Sequence, residues 1–163
     1  MQLHMLPLAA ALLAVSPIAF AQGKACDLTS PDEIQATLGM KPSLKASTLE
    51  NGVEVCTGKA SGSTFTLRLH PKKDDAEQEK EAAKLEALKK AGATVETRRS
   101  GKINCLELRP GGKASREPYR TSCTTGSTPK APAYAVVEVS NPSQSVEIRK
   151  LVPLAESIAG RIY

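Results

Sequence analysis

The chain has 163 residues, a net charge of +5 and 24% charged side chains, the size and balance of one globular domain. It has no Trp, two Phe and three Tyr, so aliphatic side chains must fill the core, and nucleic acid is disfavoured as a partner for want of base-stacking platforms. Two His and the absence of any Cys-x-x-Cys pair leave no zinc site by spacing, and no cofactor motif is present.

Residues 1–21 contain no Asp, Glu, Lys or Arg. An apolar run from Leu6 to Val15 leads to Ala19-Phe20-Ala21, the small-x-small pattern of a signal-peptidase site. Pro7 and Pro17 interrupt the segment, which is short for a span of about 20 apolar residues. The reading is a signal peptide over 1–21 and a single domain over 22–163. It carries no transmembrane anchor after cleavage, is periplasmic or secreted, and is monomeric.

Export accounts for an even set of cysteines, Cys26, Cys56, Cys105 and Cys123, as two disulfides. Three pairings are open; Cys26–Cys56 with Cys105–Cys123 is favoured because it closes short loops within the two halves. Each bond restricts the unfolded chain by roughly 3–4 kcal/mol. Lys24 lies in the stretch before Cys26 where a lipoprotein needs small residues, so acylation is disfavoured.

Ser30-Pro31-Asp32-Glu33 predicts a capping box with Pro in the first helical turn, Ile34 and Leu38 on one face, and Gly39 as the stop. Residues 53–57 and 64–69 predict a hairpin, with Phe65, Leu67 and Leu69 alternating against Thr64, Thr66 and Arg68, and residues 58–63 as its loop. Gly-Lys-Ala-Ser occurs at 58–61 and again at 112–115, but Ser does not follow Lys directly and the upstream Gly of a phosphate loop is missing. Residues 74–91 predict the longest helix. Ala82, Leu85 and Leu88 form a narrow apolar stripe; acids gather at its start, Lys89 and Lys90 at its end, and Gly92 stops it. Such a stripe suits a helix lying across a sheet with a solvated outer face, with Glu86–Lys90 as a surface pair.

Strands follow at 94–99, 103–108, 119–124 and 133–139, and a final helix presents Ile148, Leu151, Val152, Ala155, Ile158 and Ile162. Pro153 either kinks that helix or marks a start near Lys150. The expected class is α+β: an antiparallel sheet of about five to six strands, helices packed on one face, and two disulfides.

Catalytic constellations are scarce. His70, the one His beyond the signal segment, reads as an exposed strand-end residue with no designated nucleophile. Ser127-Thr128-Pro129-Lys130 matches S-x-x-K in a Pro-rich loop without its companion motifs. Asp32-Glu33 and Asp74-Asp75 are explained as helix starts. The charge pattern says more. Arg98, Arg99, Lys102, Arg109, Lys113, Arg116 and Arg120 stand against two acids, Glu107 and Glu117. Such a stretch suits an anionic envelope component or an acidic protein, or simply protects strand edges from association.

Cys26-Asp27-Leu28-Thr29-Ser30-Pro31-Asp32-Glu33-Ile34, with Leu38-Gly39, resembles the opening of a family of small bacterial cell-envelope proteins. This is a domain-of-unknown-function group best known as actinobacterial lipoproteins. Its members place a second Cys on a following strand and close with a strand and an Ala/Leu-rich helix, similar to residues 133–140 and 151–162 here. The resemblance implies a Cys26–Cys56 disulfide, an α+β fold and a non-catalytic envelope role, and carries over no binding residues. Gly58 stands where that family often has Trp, and Cys105 and Cys123 are additions. The expectation is therefore an exported, non-enzymatic binding protein, for instance an inhibitor or immunity-type protein for an acidic or envelope-acting partner. The alternatives are a periplasmic domain that binds or senses a small ligand between helix and sheet, and a Ser/His70 hydrolase.

Overall fold

The computed structural model describes residues 24–71, 75–126 and 133–163. The signal-peptide reading and the S-x-x-K match lie outside them. Seven strands, β1 (Lys45–Thr48), β2 (Glu54–Ala60), β3 (Ser63–His70), β4 (Thr94–Ser100), β5 (Ile103–Arg109), β6 (Tyr119–Thr125) and β7 (Tyr134–Asn141), form one sheet in the order β1-β2-β3-β7-β6-β5-β4. Every pairing is antiparallel. The helices are α1 (Lys24–Asp27), α2 (Pro31–Leu38), α3 (Asp75–Lys90) and α4 (Ile148–Ile162). The α+β class and the two disulfides are those expected; the strand count is seven rather than five to six.

The extra strand is β1. Its four residues are all exposed, and Lys-Ala-Ser-Thr shows no alternation that a sequence reading can detect. The β2–β3 connection is also tighter than the expected loop over 58–63. Pairing runs to Ala60↔Ser63, and only Ser61 and Gly62 turn, both at positive φ (52° and 75°). That is the two-residue hairpin geometry whose twist matches the flanking strands.

Period-two alternation sends one set of side chains to a closed face. Phe65, Leu67, Ala135, Val137 and Val139 meet Ile148, Leu151, Leu154, Ala155 and Ile158 of α4, with Ala25 and Ile34 beside them, all essentially inaccessible. Leu154 belongs to this layer although the expected apolar face of the helix omitted it. Helix α4 begins at Ile148 and runs through Pro153, which lies on its exposed side, so the carbonyl left without a partner there belongs to the exposed Arg149.

Both disulfides engage one cross-strand row. Cys56 pairs with Leu67, Leu67 with Val137, Val137 with Cys123, and Cys123 with Cys105. The Cys26–Cys56 bond ties α1 to this row, and Cys105–Cys123 staples β5 to β6 within it (S–S 2.02 and 2.05 Å). Helix α2 is capped by Ser30, whose hydroxyl accepts from Glu33 N–H at 3.2 Å. The expected reciprocal bond from the Glu33 carboxylate gives way to a longer-range role. That carboxylate accepts from Arg161 (2.7 and 3.1 Å) and Ser157 (2.6 Å), locking α2 to α4.

Strand order explains α3. The chain must travel from β3, in the middle of the sheet, to β4 at its edge, passing β7, β6 and β5. A helix of 16 residues is about 24 Å long, enough to cross four inter-strand gaps of about 4.8 Å. The tightly packed helices α1, α2 and α4 share one face, whereas α3 crosses the opposite face and buries no residue fully.

Candidate functional site

Beneath α3 lies a groove of about 1080 Å³. Its floor is the polar face of β3, β7, β6 and β5, set by the same alternation that builds the core. One cross-strand row there reads Arg68, Val136, Thr124, Asn104; the next reads Thr66, Glu138, Ser122, Leu106. Glu77, Gln78, Glu81, Lys84 and Leu85, at helical spacing on α3, form the roof.

The ends of the roof are fixed differently. At its start, Glu77 Oε2 lies 3.5 Å from His70 Nδ1. The His70 ring stacks on Tyr134, with centroids 4.3 Å apart and planes 7° from parallel. His70 is 4% exposed, so the expected exposed strand-end residue is instead a buried wall of the groove. Strand β3 pairs His70 directly with Tyr134, and the roof covers both. At the end of α3, Gly92 adopts φ +100°, and Lys113 N–H donates to Ala91 C=O at 2.8 Å. A Cβ on Gly92 would stand 3.1 Å from Gly112 Cα, so this clamp needs glycine both for its conformation and for its space. Leu88 and Ala91 pack there against a small cluster of Ala93, Leu108 and Ala114. The expected Glu86–Lys90 pair is replaced by Glu86–Lys89 at 2.7 Å, whose ammonium holds the Glu86 carboxyl below its usual range.

The electrostatic centre of the floor is Glu138. Its Oε2 lies 3.6 Å from Arg68 Nη1 and 3.9 Å from Arg120 Nη1. Both separations exceed hydrogen-bond length. Arg120 Nε is buried without a hydrogen-bond partner among the described residues.

The seven cations singled out from sequence do not meet on one surface. Arg98, Arg99 and Arg120 border the groove. Lys102 sits in the β4–β5 turn, and Arg99 Nε donates to Gly101 C=O beside it at 3.1 Å. Arg109, Lys113 and Arg116 lie toward the other end of the hairpin, about 20 Å from that turn, the end at which Arg120 pairs opposite Leu108. Arg109 is already compensated by buried Glu107 (2.7 Å) and by Glu96 (3.6 Å), and Glu107 raises its pKa further. Arg68 and Glu138 did not emerge from the linear charge count, because each stands alone among apolar or hydroxyl neighbours. The available signal was strand period: Glu138 shares a face with Tyr134 and Val136, opposite the core-facing Ala135, Val137 and Val139.

The four cysteines are all bonded, and among the described residues no group of three His, Cys, Asp or Glu is placed to hold a metal ion. Among the same residues, no helix is long and apolar enough to cross a membrane. Comparisons with protein-family models, with curated proteins and with solved structures returned no match, so the reading of the groove rests on its own chemistry.

Proposed function

We propose that the protein is an exported, non-enzymatic binding module of the bacterial envelope that takes a small or extended ligand in the groove between α3 and the sheet. The single observation that carries this reading is the groove, a ligand-sized cleft walled by a helix that contributes nothing fully buried to the core. A helix held at its two ends over a polar floor is a costly way to build a hydrophobic protein and an economical way to build a binding site. The floor offers guanidinium, hydroxyl and amide groups, with Leu106 and Val136 beneath and Leu85 above as apolar contacts, the mixture that orients a bound molecule. The inhibitor-type reading, in which a single basic patch steers a protein partner, has less support because its seven cations are divided between both ends of a hairpin.

Amide NMR of the purified domain titrated with a fragment mixture of carboxylates, phosphates and sugars tests the proposal. Shifts should cluster on β3, β6, β7 and the inner face of α3, and Ser122→Trp, which fills the floor, should abolish them. Shifts confined to the ends of the β4–β5 hairpin, or unchanged by Ser122→Trp, would overturn it.

A further inference from the structure

We propose that Arg68 and Arg120 form an oxyanion subsite in this groove, built for a carboxylate or phosphate group of the ligand, with Glu138 as an internal counter-ion that occupies it only partly. The inference rests on the binding-module reading and specifies the chemistry that the groove selects.

Three observations converge. First, two guanidinium groups share one carboxylate, so these three residues carry a net positive charge at the groove floor, with Glu77 and Glu81 facing the groove from the roof. Secondly, the pairing is loose. The separations of 3.6 and 3.9 Å give Coulomb attraction, yet neither is a hydrogen bond, whereas a carboxylate engaged by arginine normally accepts at 2.7–2.9 Å. Thirdly, Arg120 is 17% exposed and its Nε–H is buried without an acceptor among the described residues. A buried charged donor left unsatisfied costs free energy, so the cluster lacks the closed hydrogen bonding of a purely structural ion network. The fork of a guanidinium offers parallel N–H donors to either a planar carboxylate or a phosphate.

The position of the subsite also matters. Arg68 reaches from β3 and Arg120 from β6, on either side of β7, which carries Glu138. An anion lying over β7 meets both cations at once, and Ser122 stands next to Glu138 across the β6–β7 pairing, placing a hydroxyl donor beside it. A structural ion network would need no cavity above it; here the cluster opens to the groove.

The test follows the arginine Nε–Hε resonances of the full domain during titration with two probes, inorganic phosphate and succinate. Saturable shifts of the Arg120 and Arg68 resonances are expected with at least one probe, and the tighter probe identifies the source of the oxyanion. Arg120→Gln should weaken that binding about tenfold, and Arg120→Lys should restore it only in part, since an ammonium lacks the fork. Glu138→Gln is the discriminating variant. A subsite relieved of its internal competitor should bind the probe about three- to tenfold more tightly, whereas a merely structural cluster gains nothing. Arginine resonances unmoved by both probes, while other groove residues respond to the fragment mixture, would overturn the subsite and leave the binding groove standing. If no groove residue responds to any probe or fragment, both proposals fall.

Discussion

The two faces of the sheet are made from alternate residues of the same strands, yet they follow opposite physical rules. On the closed face, Leu67, Val137 and the two disulfides meet α4 in a layer with almost no solvent access, and the chain gains stability from area removed from water. On the open face, α3 stands over hydroxyls and ion pairs, touching the sheet chiefly at its two ends. Stability concentrated on one side leaves the other free to keep a polar groove and an incompletely paired arginine. The disulfides reinforce this division, because both bind the closed-face row and neither fastens α3.

The contrast is easiest to break from the closed side. Leu151→Ala, at 0% exposure, should cost about 2–5 kcal/mol in urea unfolding, reflecting lost transfer energy and the cavity left behind. A cost below about 1 kcal/mol would mean that α4 does not hold the fold. Next in size is Gly58→Ala, where the incoming methyl would stand 2.7 Å from Pro42 Cβ and 2.8 Å from Ser43 O. The segment before β1 crosses β2 at that point, and a loss of about 1–3 kcal/mol is expected from overpacking. An unchanged denaturation midpoint would show that this crossing yields easily.

Glu33→Gln should have a smaller effect, about 1 kcal/mol, since water competes for the half-exposed Arg161. The effect should also depend on pH. Burial would raise the Glu33 carboxyl, but hydrogen bonds from Arg161 and Ser157 outweigh it and hold the carboxyl below its ordinary value of 4.5. The stabilisation is therefore complete above that value and is lost as pH falls through the lowered folded pKa. Wild type and Glu33→Gln should converge in melting temperature at the acid end and separate toward neutrality; parallel curves would refute the assignment.

Smallest of all should be Leu85→Ala in α3, below about 0.5 kcal/mol, because this side chain is only half-buried. The sharper measurement is hydrogen exchange. Amides of α3 should exchange through local opening well before those of α4. Equal protection in the two helices would mean that the open face is as tightly built as the closed one.

Local signals made much of this legible. Ser30-Pro31 located α2, Gly92 located the end of α3, the alternation in 64–69 located β3 and its core-facing Phe65 and Leu67, and strand-forming composition located β7. Signals failed where local chemistry is indifferent. Lys45–Thr48 becomes a strand only because β2 is there to pair with it, and His70 is buried only because a helix starting five residues later returns over it. The charge run from Arg98 to Arg120 was plain to see, but contiguity in sequence is not contiguity on a sheet, where alternate residues face opposite ways and hairpins separate their ends.

The sequence by itself determined the three longer helices, six of the seven strands, the core faces of β3 and, apart from Leu154, of α4, and the supply of cysteines for two bonds, because caps, turns and periodicity act over a few residues. The candidate site was decided elsewhere. Arg68, Arg120 and Glu138 meet only because β7 inserts between β3 and β6, and the groove exists only because this order sends α3 across the open face. Strand order is a choice among long-range pairings, settled by the burial and hydrogen bonding of the whole sheet, and no short stretch of residues encodes it.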